Sequence, residues 1–140
     1  MLASDQVAVA VEGAVHRRGA AAGLVCMTIA VLFLALDTSL KVLGLDAAVE
    51  GTAALGYPTS SVQWIGAIEL VCLVLYLVPR TAVLGALLMT GYLGGAVASQ
   101  VRIASPLLTH ILFPVYVALL LWGGLYLRDP RLRALSPLRR

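Results

Sequence analysis

Four apolar stretches, each close to the length that crosses a bilayer, constrain what this chain can fold into. They lie at about residues 20–43, 62–78, 82–99 and 107–127, and a transmembrane helix needs about 20 apolar residues. Of the 140 residues, 61% are hydrophobic and only 12% are charged, which is far less charge than a soluble domain displays. The sequence therefore predicts an all-α membrane protein, a four-transmembrane-helix bundle.

The basic residues fall mainly on one side of this predicted bundle. Lys41 and Arg102 lie on one side, and the other eight of the ten basic residues lie on the opposite side, namely Arg17, Arg18, Arg80, Arg128, Arg131, Arg133, Arg139 and Arg140. Because basic residues favour the cytoplasmic side, both termini are predicted to be cytoplasmic. Residues 1–19 then form an N-terminal tail, 20–127 the membrane domain and 128–140 a basic tail that attracts anionic lipids. The arginines flank apolar spans instead of forming a soluble basic face, so no nucleic-acid partner is expected.

A single carboxylate, Glu69, lies inside the second span. An acidic side chain at that depth is costly unless it is paired, protonated or directed into a polar cavity. Gly66, Glu69, Cys72 and Tyr76 follow one another at steps of three and four, so they share one helical face. We predict that this face points into the bundle.

Other polar residues in the spans lie at a similar depth. At 1.5 Å per residue, Asp37 lies roughly 9 Å and Glu69 roughly 10 Å from the outer ends of their spans, and His110 about 5 Å from its own. The predicted ring of candidate ligand-binding or proton-carrying residues is Asp37, Lys41, Glu69, Gln100, Arg102 and His110. Intramembrane ionisable groups commonly mark a pocket or path, and a polar network that only fixes helix register is the alternative.

Roles for these residues follow as hypotheses. Glu69 is the candidate proton carrier, and His110 is its candidate partner, since histidine titrates near neutral pH. Lys41 and Arg102 are candidates to hold a polar head such as a quinone carbonyl or a carboxylate. Asp37 and Lys41 stand at i and i+4, a spacing that also allows a self-neutralising pair.

Three further segments predict local features of the fold: a short helix, a kink and a close helix contact. The loop 44–61 is predicted to contain a short interfacial helix with Asp46 as its N-cap and Gly56 at its end, a possible lid over the outer mouth. Pro114 is predicted to kink the fourth span beside His110. Gly91 and Gly95 form a GxxxG pattern, which favours close packing inside the bundle, with homodimerisation as the alternative.

Metal and thiol chemistry have no motif in the sequence. Cys26 and Cys72 lie in separate apolar runs, no CxxC occurs, and no Cys/His cluster has zinc-site spacing, so no metal site is predicted. No motif for flavin, haem or iron–sulfur chemistry is present either, and an autonomous redox enzyme is therefore disfavoured.

A set of short motifs, in order along the chain, resembles the DoxX-like family of small bacterial membrane proteins. The motifs are Lys41-Val-Leu-Gly, Leu55-Gly-Tyr-Pro58, Gly66-x-x-Glu69, Val78-Pro-Arg-Thr81 with Leu84-Gly85, and Tyr126-Leu-Arg-Asp-Pro-Arg-Leu-Arg133. The resemblance covers about residue 20 to the C-terminus and implies a multi-pass protein of the bacterial cytoplasmic (inner) membrane. Glu69 and Lys41 match the family pattern, whereas Gln100 stands where many members carry a histidine.

The resemblance also implies a functional setting. The wider DoxX group includes a subunit associated with a thiosulfate:quinone oxidoreductase and members linked to membrane oxidoreductase complexes. The leading hypothesis is thus an accessory or ligand-binding membrane subunit of an oxidoreductase system, with a polar pocket in the outer half of the bundle and a quinone as the candidate cofactor. The alternatives are a small proton-coupled transporter that uses Glu69, and a structural or assembly protein without a ligand.

Overall fold

Six α-helices build the part of the chain that the structure describes. This computed structural model describes the backbone of residues 2–134 and the side chains of residues 17–132. The helices are α1 Leu2–Val42, α2 Asp46–Ala54, α3 Val62–Leu77, α4 Ala82–Arg102, α5 Phe113–Arg128 and α6 Pro130–Ala134. Met1, Arg139 and Arg140 lie outside the described residues, and the cytoplasmic orientation of the termini stays a prediction.

Within the described residues, four helical stretches are long and apolar enough to cross a membrane, as predicted. They are Arg17–Val42, Thr59–Leu77, Ala82–Arg102 and Leu107–Arg128. α1 packs against α3 and α5, and α4 packs against the same two helices, so the four spans form a closed ring. Upstream of the first span, the backbone of α1 is helical from Leu2.

The core lies between the spans and is built from aliphatic and small residues together with one tyrosine. Its buried members are Ala30, Leu34, Cys72, Leu73, Tyr76, Ala86, Met89, Leu93, Val117 and Leu121. The Tyr76 hydroxyl donates a hydrogen bond of 2.9 Å to the Leu121 carbonyl, which satisfies a polar group that burial would otherwise leave without a partner. This bond ties α3 to α5 across the ring.

The short helix predicted in the loop 44–61 is present as α2, and its position at the membrane interface stays a prediction. Gly56, at φ +80°, follows its end, in the left-handed conformation that terminates many helices. The N-cap prediction was wrong, because Leu45 caps the helix in an extended conformation and Asp46 is its first residue. There the Asp46 carboxylate still lies beside the positive end of the helix dipole.

At the position of the predicted kink, beside His110, the fourth span is interrupted. The fourth span begins with one π-helical turn, Leu107–Ile111, and a new helix starts at Phe113. Pro114 therefore lies in the first turn of α5, where the missing N–H would have had no intrahelical partner. His110 belongs to the π-helical turn and not to a kinked α-helix.

Glycines set how closely α3 and α4 approach each other. A Cβ added at Gly85 would clash with backbone atoms of Leu75 and Tyr76, so the two backbones touch there. By contrast, a Cβ at Gly91 or Gly95 would meet nothing within 4 Å. The prediction that Gly91 and Gly95 pack inside the bundle was wrong, since their helical face is exposed.

Candidate functional site

Glu69 lies at the centre of the site, on the inward face of α3. Gly66, Glu69, Cys72 and Tyr76 are all buried, which confirms the predicted inward face. The Glu69 side chain has 0% exposure. One turn earlier, a Cβ at Gly66 would lie 2.7 Å from the Lys41 Cβ. Glycine at position 66 therefore lets the end of α1 approach α3 closely enough for Lys41 to reach Glu69.

Lys41 joins two carboxylates. Its Nζ lies 2.5 Å from Asp37 Oδ2, one helical turn back, and 2.9 Å from Glu69 Oε2 on α3. The i,i+4 pair allowed by the sequence therefore forms. Lys41 also points inward to Glu69 instead of extending to the membrane surface. Since an isolated buried carboxylate is very unfavourable, Lys41 is the group that allows Glu69 to lie in the bundle in charged form.

Tyr92 on α4 completes the arrangement, and the sequence analysis missed it. Lys41 Nζ donates to the Tyr92 hydroxyl at 2.9 Å, and that hydroxyl donates to Glu69 Oε2 at 2.7 Å. We call Asp37, Lys41, Glu69 and Tyr92 the ionic cluster. A signal for Tyr92 did exist: it lies in mid-span, away from the interfacial positions where membrane tyrosines concentrate.

A cavity of about 330 Å³ adjoins the ionic cluster. The spans α1, α3, α4 and α5 all contribute to its wall. On one side the wall is formed by α2 and the residue after it, through Ala47, Ala48, Gly51, Thr52 and Leu55. We call it the cluster cavity. Beyond the ionic cluster, its main polar groups come from Gln100, Thr109 and His110, and its apolar wall includes Phe33, Leu93, Phe113 and Val117.

One buried oxygen of the cluster has no hydrogen-bond partner among the described residues. Glu69 Oε2 accepts from Lys41 and Tyr92, whereas Glu69 Oε1 is buried and without a partner among the described residues. All three ammonium hydrogens of Lys41 are engaged, by Asp37, Glu69 and Tyr92. Because a buried acceptor without a donor is costly, a movement of the Glu69 side chain that brings Oε1 to the adjoining cavity would offer an acceptor to a ligand hydroxyl or N–H group.

Five of the six predicted site residues line this cavity, and Arg102 does not. Gln100 accepts a hydrogen bond of 2.7 Å from the Ser105 hydroxyl, and His110 Nδ1 lies 2.8 Å from the Thr109 hydroxyl. Arg102 instead donates to the Leu55 carbonyl. Its guanidinium lies 5.5 Å from the centre of the Tyr57 ring. Arg102 therefore fastens the segment after α2 to the end of α4.

The chain matches one family model. The model of the DoxX-like family matches residues 25–124 of this chain, a range that covers most of the 140 residues. The chain belongs to the DoxX-like family. All four members of the ionic cluster lie inside the matched range, so this site belongs to the DoxX-like part of the chain. No curated protein and no solved structure matches the chain.

The Tyr92 hydroxyl offers a first test of the cluster in this DoxX-like protein. Tyr92→Phe removes one donor to Glu69 and one acceptor of Lys41, while the direct Lys41–Glu69 pair remains. We expect a loss of about 1–2 kcal/mol in the free energy of unfolding, the upper range for single hydrogen bonds in membranes. Unfolding in mixed micelles measures it. Tyr116→Phe, on an exposed part of α5, is the control, and an equal effect of both variants would contradict this account.

A substitution at Thr38, in contrast to Tyr92→Phe, is expected to stabilise the protein. Its side chain is buried, and its hydroxyl has no partner among the described residues. Thr38→Val removes that hydroxyl, so we expect stabilisation by about 1 kcal/mol. Thr90→Val is the matched control, because the Thr90 hydroxyl accepts from Trp122 Nε1 at 2.8 Å and donates to the Ala86 carbonyl at 2.7 Å. Thermal unfolding in detergent should rank the two variants on opposite sides of wild type. Destabilisation by Thr38→Val would reveal a partner for its hydroxyl.

Proposed function

We propose that the cluster cavity binds a small ligand with a hydroxyl-bearing head and an apolar body. The reduced form of a quinone, a quinol, is the candidate. The observation that carries the proposal is that Glu69 lines the cavity and that its Oε1 atom is buried without a donor among the described residues. A quinol O–H group would donate to this oxygen, whereas the carbonyl of the oxidised quinone offers only a second acceptor.

The remaining walls of the cavity fit such a head group. Gln100, Thr109 and His110 lie on the wall of the same cavity and offer polar groups for the second oxygen of the ring. Phe33 and Phe113 pack edge to face with ring centres 5.0 Å apart, and both line the cavity. Ligand pockets typically have volumes of about 300–1,000 Å³, mostly apolar walls and a few placed polar groups, and this cavity falls at the lower end of that range.

We further propose that the protein is an accessory membrane subunit of an oxidoreductase system and not an enzyme on its own. This part of the proposal draws on the resemblance to the wider DoxX group. The chain's own residues would bind and orient the ligand, and the electron transfer would take place in a partner protein. We place the protein in the bacterial cytoplasmic membrane with both termini in the cytoplasm, because eight of the ten basic residues lie on that side.

Glu69→Gln is the substitution that tests the proposal most sharply. The ammonium of Lys41 and the hydroxyl of Tyr92 both donate to Oε2, so the glutamine carbonyl oxygen must take that place. Its NH₂ group then takes the place of Oε1 and offers a donor where wild type offers an acceptor. The variant should therefore prefer the oxidised quinone, and wild type the quinol.

The measurement is the dissociation constant of one short-chain benzoquinone in its oxidised and its reduced form, for each protein in detergent. We expect wild type to bind the quinol at least tenfold more tightly than the quinone, the ratio that a hydrogen bond to a charged acceptor supports. Glu69→Gln should abolish or invert the ratio. Glu50→Gln, on the exposed side of α2, should keep it. Equal affinities for both forms in wild type would overturn the proposal.

A second candidate function, proton-coupled transport, is favoured by the charge of the cluster. Two carboxylates face one ammonium group, so one added proton would neutralise the cluster. If Glu69 carries that proton across the membrane, liposomes that contain the protein should show a pH-dependent proton flux. The substitution Glu69→Gln should abolish this flux. Absence of proton flux in wild type excludes this candidate.

A third candidate is a structural protein without a ligand. It would be favoured if the protein binds no ligand and keeps its stability when Asp37, Lys41 and Glu69 are replaced by neutral residues.

A further inference from the structure

The spans α3 and α4 touch at Gly85, and further along α4 a space lies beside both helices. At Gly85 the α4 backbone touches the α3 backbone at Leu75 and Tyr76. Six residues further along α4, a side chain at Gly91 would meet nothing within 4 Å, and the same holds at Gly95. The helical turn of 3.6 residues places Gly91 and Gly95 on a different face of α4 from Gly85, and beside that face Ile68 of α3 is 56% exposed.

The space beside α3 and α4 is a second cavity of about 300 Å³. Ile65 and Ile68 form its α3 wall, and Gly91 and Gly95 form its α4 wall. We call it the α3–α4 groove. It adjoins the cluster cavity, because five residues line both, namely Lys41, Thr52, Leu55, Tyr92 and Ala96. The hydrogen bond between Lys41 and Tyr92 therefore lies between the two spaces.

The walls of the α3–α4 groove suit an apolar chain. The Tyr57 and Ser99 hydroxyls, which both line it, bond to each other at 2.7 Å. Lys41 directs its ammonium hydrogens into the ionic cluster. The groove therefore offers mainly isoleucine, leucine, alanine and glycine surfaces, in contrast to the cluster cavity, which Glu69 lines.

We propose that the α3–α4 groove is a lateral portal through which the ligand enters from the bilayer, and that it holds the single apolar chain of that ligand. This inference rests on the proposed function, since it places the head group in the cluster cavity. Gly91 and Gly95 keep the portal open because they add no side chain to its wall. The ligand class is accordingly narrowed to a membrane amphiphile with one chain attached to a hydroxylated ring, and a water-soluble phenol without a chain should bind weakly.

The test compares two adjacent glycines of α4. Gly94 and Gly95 are both exposed, and a Cβ at either would meet nothing within 4 Å, so a side chain can start at either position without a clash. Only Gly95 lines the groove. The probes are 2,3-dimethoxy-5-methylhydroquinone without a chain and the same hydroquinone with a decyl chain. Gly91→Leu serves as a second variant on the groove wall.

Wild type and Gly94→Leu should bind the decyl compound at least tenfold more tightly than the compound without a chain. Gly95→Leu and Gly91→Leu should reduce this ratio to less than threefold, while the affinity for the compound without a chain stays within twofold of wild type. If wild type binds both compounds with the same affinity, the α3–α4 groove is not the portal for an apolar chain. The proposed binding of a hydroxylated head group in the cluster cavity would still stand.

Two other outcomes are decisive as well. If wild type binds neither compound, the proposed function fails and the portal fails with it. A GxxxG face can also hold a second copy of the chain. If Gly95→Leu converts a dimer into a monomer in native mass spectrometry and leaves the decyl ratio unchanged, the groove is a dimer interface and the portal is wrong.

Discussion

Replacing Lys41 with methionine is expected to lower the free energy of unfolding by about 3 kcal/mol or more, the range measured when one partner of a buried ion pair is removed. Lys41 is the cation that contacts both Asp37 and the fully buried Glu69. Without it, Glu69 is a buried carboxylate whose close neighbours are a tyrosine and a second carboxylate. Methionine preserves most of the side-chain volume, so the effect isolates the lost charge from lost packing.

Unfolding of purified protein in mixed micelles measures this change. The double variant Lys41→Met/Glu69→Gln should recover a substantial part of the loss, because it removes the unpaired buried charge together with its partner. A Lys41→Met variant with the stability of wild type would contradict the assignment of Lys41 as the counter-ion of Glu69. Additive effects of the two substitutions would contradict it as well.

Gly85→Ala is expected to destabilise the bundle by about 3 kcal/mol, at the upper end of the range for overpacked cores. The added Cβ would overlap backbone atoms of Leu75 and Tyr76, and backbone cannot rotate away as a side chain can. α3 and α4 must then separate at their closest point. Since Tyr76 also bonds to the Leu121 carbonyl, the displacement would disturb the α3–α5 contact too.

Gly94→Ala is the matched control on the same helix. A Cβ at Gly94 meets nothing within 4 Å, so this variant should be neutral or slightly stabilising, as expected for alanine in place of an exposed helical glycine. Thermal unfolding of both variants in detergent makes the comparison. Similar stabilities for Gly85→Ala and Gly94→Ala would mean that α3 and α4 are further apart at Gly85 than the structure places them.

Much of the fold could be predicted because hydropathy and helical periodicity are local properties. The four spans follow from apolar length, and the inward face of α3 follows from the spacing of Gly66, Glu69, Cys72 and Tyr76. The i,i+4 pair of Asp37 and Lys41 is also local. The short helix α2 could be predicted because Gly56 supplies the left-handed residue that ends it.

The errors concern how helices are rotated and how closely they approach. Matched depth placed Arg102 in the polar ring, but depth does not fix the direction of a side chain, and Arg102 turns to the Leu55 carbonyl. Tyr92 was missed because its role depends on the rotation of α4 relative to α1 and α3. The GxxxG pattern predicted close packing at Gly91 and Gly95, yet the close approach occurs at Gly85.

We propose that Glu69 receives a hydroxylated membrane ligand in the cluster cavity. Native mass spectrometry of gently purified protein, followed by identification of the released small molecules, can detect such a ligand. We predict that wild type and Glu50→Gln carry the same hydroxylated amphiphile with one apolar chain, and that its occupancy falls at least tenfold in Glu69→Gln. Wild type that carries only phospholipids, in the same amounts as Glu69→Gln, would contradict the claim.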